Sequence, residues 1–167
     1  MKNLEGKKAL ILGIASNRSI AWGISESLKN NGAELAFTYQ NDKLKERVEK
    51  LANECGSNIV LPCDVSIDGS ISKMLEELSN HWKEFDILIH SLAFAPKEEL
   101  EGNYVEKTTK DGFVQAHSIS SYSLLELCKE AKPMLKGSNP SVISLSYLGA
   151  VRGMPNYNVM GLSLIHI

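Results

Sequence analysis

Lys8-Ala9-Leu10-Ile11-Leu12-Gly13-Ile14-Ala15-Ser16-Asn17-Arg18-Ser19-Ile20-Ala21-Trp22-Gly23 is the stretch on which the reading of the fold depends. A short apolar run meets a glycine, crosses a polar loop and enters a segment of helical period. Such a run, bounded by a turn signal, reads as a buried strand. Gly13 lets the backbone turn sharply as it leaves the sheet. Ile20, Ile24 and Leu28 recur every four residues, one face of a helix, and Asn31-Gly32 stops it. Ser19 is placed to cap that helix, and the free N–H groups of its first turn suit a pyrophosphate. Gly23 is expected to let the helix pack closely on the strand. The tight G-x-G-x-x-G fingerprint is absent, so nucleotide binding rests on the strand–loop–helix context. The plainer reading is a glycine turn between a strand and a helix.

Outward from this unit the alternation repeats. Ala33 to Tyr39 reads as a second strand, and Leu44, Val48 and Leu51 mark a helix that ends near Gly56. Asn58 to Cys63 is a third strand; Ile71, Met74, Leu75, Leu78 and Trp82 stripe the next helix; Phe85 to His90 is a fourth strand. A long helix is expected from about Thr108 to Met134, ended by Lys136-Gly137, then a fifth strand from Ser141 to Leu145 and a helix beginning near Asn156. Strands separated by crossover helices imply the α/β class, here a Rossmann-type doubly wound parallel sheet with strand order 3-2-1-4-5. The second half of such a fold is not finished, so the sheet is expected to be incomplete, its later strands missing. There are no repeats, linkers or low-complexity segments, and no internal domain boundary is placed.

Bulk properties exclude several functions. At 167 residues the chain has the size of one domain with a real core. A net charge of -2 carries no nucleic-acid or membrane footprint. Cys55, Cys63 and Cys128 are scattered and odd in number, which suits buried thiols in a reducing cytosol. His81, His90, His117 and His166 are equally dispersed, so no metal site is expected. The first apolar run is too short for a signal peptide or a membrane span, which points to the cytoplasm.

The strand ends carry the candidate binding residues. Strand two ends Thr38-Tyr39-Gln40, where many such folds place an acid on a ribose 2′-hydroxyl. Gln40 can still hydrogen-bond a hydroxyl, while Lys43 and Lys45 lie in the following helix and are weak candidates for a 2′-phosphate clamp. This favours NADH over NADPH. Strand three ends Cys63-Asp64-Val65, where the carboxylate either meets an adenine amino group or caps the next helix. Strand four ends His90-Ser91-Leu92-Ala93-Phe94-Ala95-Pro96, whose small residues admit a nicotinamide ring and a substrate, or simply pack. Further on come Ser146-Tyr147-Leu148-Gly149 and Pro155-Asn156-Tyr157-Asn158-Val159-Met160-Gly161-Leu162. A lone tyrosine would read as structural, its hydroxyl satisfied. Two tyrosines ten positions apart, the second opening a Tyr-x-x-Met helix, look like a catalytic face.

Together these residues resemble the enoyl-acyl-carrier-protein reductases of bacterial type II fatty-acid synthesis, a divergent branch of the short-chain dehydrogenase/reductases. The resemblance runs from Gly13 through Leu162. Its most specific stretches are Gly32 to Leu44, His90 to Pro96, Ile119-Ser120-Ser121-Tyr122-Ser123, Leu145 to Ala150 and Pro155 to Leu162. It implies NADH as cofactor, with Gly13, Ser19 and Ile20 at the pyrophosphate and neighbouring ribose, Gln40 near the adenosine end, and Asp64 and Val65 at the adenine. Ser91 and Leu92 would line the ribose and nicotinamide, Ala95 would border the substrate, and Tyr147 and Tyr157 would be the paired active-site tyrosines. The implied reaction reduces the C2–C3 double bond of a trans-2-enoyl thioester on acyl carrier protein, with Tyr157 donating to the enolate oxygen. The intact enzyme would be a homotetramer.

The family pattern continues with a lysine seven residues after Tyr157, about two helical turns on; Leu164 stands there instead. Residues 1–162 are read as the NAD-binding Rossmann domain and 163–167 as a non-native tail. Leu162 to Ile167 is what the reverse complement of a transposase sequencing adaptor would encode. On that reading this polypeptide is truncated, with NADH binding weak at best and negligible turnover. Two alternatives stand beside it: a catalytically dead nucleotide-binding module, and a short-chain reductase acting on another carbonyl substrate.

Overall fold

The computed structural model describes residues 3–135 and 139–165. They belong to two compact units, Met1–Ser91 with Leu127–Ile143, and Leu92–Glu126 with Ser144–Ile167.

The first unit is built on a parallel sheet. β1 (Lys8–Leu12), β2 (Glu34–Tyr39), β3 (Val60–Pro62), β4 (Ile87–His90) and β5 (Ser141–Ser144) take the order β3-β2-β1-β4-β5. This is the expected order. Ala9 lies between Leu35 and Ile87 in register, and Leu10 between Ala36 and Leu88. Alternation sends Ala9, Ile11, Leu35, Phe37, Ile87 and Ile89 to one face, where Ala21, Val48, Leu51 and Ala52 complete a buried cluster. Leu10, Leu12, Ala36 and Leu88 turn to the other face and are buried as well. A parallel sheet covered on both faces explains why these strands read as continuous apolar runs.

The crossover helices are α1 (Ile20–Asn30), α2 (Asp42–Glu54) and α3 (Ser70–Leu78). α1 and α2 end alike. Gly32 and Gly56 take φ of 97° and 74°. Their N–H groups bond Lys29 and Asn53 carbonyls, and the next residues, Ala33 and Ser57, reach back to Leu28 and Ala52. Both are Schellman stops, which require the left-handed conformation that glycine adopts freely.

Three local expectations need correction. The residues α1 buries fully are Ala21 and Ser25, while Ile20 is 69% exposed; a four-residue apolar spacing located the helix but put its first member on the wrong face. Gly23 is exposed, and a side chain there would meet nothing within 4 Å. Its smallness therefore serves no close packing in this unit. Strands three, four and five are each shorter than their apolar runs, although Ile59, Cys63 and Asp86 just outside β3 and β4 still bond to Phe37, Tyr39 and Lys8 of the neighbouring strands.

In the second unit a turn at Lys97–Glu99 leads to α4 (Tyr104–Lys107) and α5 (Lys110–His117). The expected long helix is interrupted by a π-helical segment, Ser118–Tyr122, and resumes as α6 (Ser123–Ala131), whose residues from Leu127 on belong to the first unit and which stops short of Met134. The stop at Lys136-Gly137 lies outside the described residues. The serines explain the wide turn: Ser121 and Ser123 hydroxyls donate to the carbonyls of His117 and Ile119, four residues back, competing with regular helix bonding. A turn at Leu148–Ala150 precedes α7 (Asn158–Ser163), and Ala95, Ala116 and Val159 form a small buried cluster. Among the described residues no helix is long and apolar enough to cross a membrane.

Candidate functional site

In the sheet unit the candidate residues gather at the carboxyl ends of β1 to β4. Gly13 follows β1 with φ of 93°, so the turn there does demand glycine. Ser19 stands at the N-cap of α1, yet it does not cap. Its hydroxyl donates to the Ser16 carbonyl at 2.7 Å, and no side chain accepts from the helix's first N–H groups. The first turn also carries no acidic residue. These donors, with the positive end of the helix dipole and the exposed Ile20 beside them, fit an incoming pyrophosphate. The loop itself is pinned by Ser16, whose hydroxyl accepts from Arg18 N–H at 3.2 Å, and by Arg47, which donates to the Ala15 carbonyl at 3.2 Å.

Gln40 and Asp64 end neighbouring strands and meet directly: Gln40 Nε2 donates to Asp64 Oδ2 at 3.1 Å. The other carboxylate oxygen accepts from the N–H and hydroxyl of Ser66, at 2.9 and 2.6 Å. Asp64 thus closes a local turn and does not cap α3, whose N-cap is Gly69. Val65 beside it is half-buried. Lys45 lies 5.9 Å from the centre of the Tyr39 ring, a cation–π distance. Ser91 follows β4, half-buried, its N–H bonded to the Leu12 carbonyl at 3.1 Å. His90 is fully buried, and burial lowers its pKa to about 4, so the imidazole is neutral.

In the second unit Leu92 is half-buried and Ala95 is packed with Ala116 and Val159. Tyr147 and Tyr157 are brought together, their ring centroids 4.8 Å apart and tilted by 51°. Tyr147 is half-exposed, in extended backbone ahead of the Leu148–Ala150 turn. Tyr157 occupies the N-cap of α7, between Asn156 and Asn158, which both take positive φ (57° and 31°). Two glycines set its seat. A Cβ on Gly149 would come within 2.5 Å of Tyr157 Cδ1, and one on Gly161 within 2.6 Å of the Gly149 carbonyl oxygen. Burial, then the charge of Tyr147, pushes the Tyr157 phenol up. A raised phenol stays protonated at neutral pH and remains a hydrogen-bond donor. Leu164, at the C-cap of α7, is buried and offers no charge. Beside Tyr157 opens a cavity of about 480 Å³, walled by Gly149, Val151, Met154, Leu162 and Ile165. That is room for a mostly apolar ligand.

One residue escaped the sequence reading. Ser120, in the π segment, is buried, and its hydroxyl accepts from the Phe94 N–H at 3.2 Å, holding the loop that carries Leu92 to Ala95. The signal was present in the run Ser118-Ile119-Ser120-Ser121, poor helix formers inside an expected helix.

A doubly wound parallel sheet with its polar loops at the carboxyl ends of the strands makes the chain a Rossmann-type α/β protein. Residues 13–164 match the enoyl-(acyl carrier protein) reductase family, and the chain belongs to it. It is 54% identical to enoyl-acyl-carrier-protein reductase (NADH) FabI of Salmonella typhimurium over 160 residues, covering 96% of this chain and 61% of that protein. The Escherichia coli FabI is 52% identical over the same share of each. The crystal structure of the Aquifex aeolicus enzyme superposes with a TM-score of 0.94 at 46% identity, over 97% of this chain and 64% of that one. The Anaplasma phagocytophilum enzyme, in complex with NAD, gives 0.92 at 39% identity, over 97% and 61%. The chain spans about 61% of the length of the curated relatives it matches.

Proposed function

We propose that this chain carries the NADH-binding and tyrosine-bearing part of a cytoplasmic enoyl-acyl-carrier-protein reductase, acting on trans-2-enoyl thioesters borne by acyl carrier protein. The observation that carries the reading is the tyrosine pair, with Tyr157 seated on Gly149 and kept protonated. In the sheet unit, Gly13, Ser19 and Ile20 would receive the pyrophosphate and adjoining ribose. Gln40, Asp64 and Val65 would take the adenosine, and Ser91 with Leu92 the nicotinamide ribose. Bound NADH would supply the hydride that reduces C3 of the enoyl chain. Negative charge then gathers on the thioester oxygen, where the Tyr157 hydroxyl donates, lowering the barrier as an oxyanion hole does. A proton arriving at C2 completes the saturated thioester. Ala95 would form part of the substrate wall, and Tyr147 supports Tyr157 or guides the substrate.

Buried Leu164 favours a second reading, a nucleotide-binding module without turnover. An ammonium at that position would bond the nicotinamide ribose and favour charge on the neighbouring phenol; an isobutyl group does neither. NADH titration and crotonyl-thioester-dependent NADH oxidation separate the two. The enzyme reading expects the chain, once extended to the length of its relatives, to bind NADH and oxidise it with crotonyl thioester, a rate that Tyr157→Phe abolishes without weakening the binding. Binding with no rate in either protein selects the second reading. Absence of NADH binding sinks both.

A further inference from the structure

Glu99 is the only buried Asp or Glu among the described residues, 6% exposed, and the proposed reaction does not use it. Its Oε1 accepts from Thr109 Oγ1 at 2.5 Å, and the same Thr109 oxygen caps α5 by accepting from Gly112 N–H at 3.0 Å. The carboxyl lies where a side chain on Gly112 would have to go. Oε2 has no hydrogen-bond partner among the described residues. Desolvating a carboxyl and leaving one oxygen unmet is costly, so this burial asks for a reason beyond packing.

The backbone of Glu99 supplies one. Its carbonyl accepts from Asn158 Nδ2 at 2.9 Å, and the same amide nitrogen reaches the Gly102 carbonyl at 3.3 Å. Asn158 opens α7 directly after Tyr157, at φ of 31°, and Asn156 on the other side is at 57°. Asparagine enters this region more readily than most residues, but two such positions flanking one tyrosine make a turn whose shape depends on the contacts that hold it. We infer that Glu99 is a positioning residue for Tyr157: wedged against Gly112 and tied to Thr109, it fixes the carbonyl that holds Asn158, and through it the turn that aims the phenol. The inference rests on the proposed function only for what Tyr157 does in catalysis. The geometry itself can be tested without cofactor or substrate.

The test is ¹³C NMR of the 167-residue chain carrying ring-labelled tyrosine, with the Tyr157 signal assigned by Tyr157→Phe. Glu99→Ala and Asn158→Gly are each expected to move the Tyr157 signal and to bring its phenol titration down toward the ordinary value of about 10, while the Tyr39 resonance stays where it is. Glu99→Gln, which fills the same space and still accepts from Thr109, is expected to restore the parent signal. Asn158→Gly deletes the side-chain bond but tolerates the positive φ, so the inference stays testable if Glu99→Ala does not fold. An unmoved Tyr157 signal in Asn158→Gly overturns the inference. So does a Tyr39 shift as large as that of Tyr157, or a failure of Glu99→Gln to restore it.

Discussion

In the sheet unit Leu10, Phe37 and Leu88 are fully buried between layers of helix, whereas among the described residues of the tyrosine unit the buried apolar side chains are Ala95, Ala116, Val159 and Leu164. What the second unit lacks in apolar area it supplies in directed contacts. Glu99 meets Thr109, Asn158 meets the Glu99 carbonyl, Ser120 meets Phe94, and Tyr157 sits on Gly149. Hydrophobic burial is non-directional and tolerates small shifts. Hydrogen bonds and glycine contacts fix distances. One unit is thus built to be stable and the other to hold a ring in place, and the two should respond differently to damage.

The largest expected effect comes from the apolar side. Phe37→Ala should cost about 3–5 kcal/mol, read from the urea midpoint, with protection from hydrogen exchange lost across β1 and β2. A loss below about 1 kcal/mol would mean that the sheet core does not dominate. Next is a pH effect from the same unit. Unfolded His90 titrates near 6.5 and burial holds it at about 4 in the fold. Between those values the unfolded chain binds the extra proton, so stability is complete above 6.5 and falls as pH drops, by roughly 3 kcal/mol once pH 4 is passed. A urea midpoint that stays flat across this window in the parent chain contradicts the buried neutral imidazole. The smallest effect on stability belongs to Gly149→Ala, an overpacking change of about 1–3 kcal/mol. Its signature should be a displaced Tyr157 ring with the exchange protection of β1 and β2 intact. If Gly149→Ala proves as damaging as Phe37→Ala, the contrast between the units fails.

The same contrast governs what was legible in the sequence. The sheet order, the crossover helices and both Schellman stops follow from periodicity and glycine placement, because burial imposes period and left-handed turns impose glycine. Errors arose where a residue type allows several uses and the fold selects one that the pattern does not specify. Ser19 has the chemistry of a cap, yet its hydroxyl turned to Ser16. Gly23 looked like a packing glycine, but nothing stands opposite it. The Tyr147–Tyr157 pair was readable as a pattern. The glycines beneath it, the positive-φ asparagines flanking it and the buried Glu99 were not, since each is defined by a contact that no local period announces, the Asn158–Glu99 bond spanning 59 positions.

The π segment at Ser118–Tyr122 has a consequence for how this stretch can change over time. A wide turn is in effect a helix carrying one surplus residue. Deleting any one residue there would restore regular bonding, but it would also rotate everything beyond it by roughly 100° about the helix axis. The Ser120 hydroxyl would then leave the Phe94 N–H that it meets now. Substitution is tolerable in this segment wherever the hydroxyls survive. Its length is not free to drift, and an alignment gap placed here would be a change of aim.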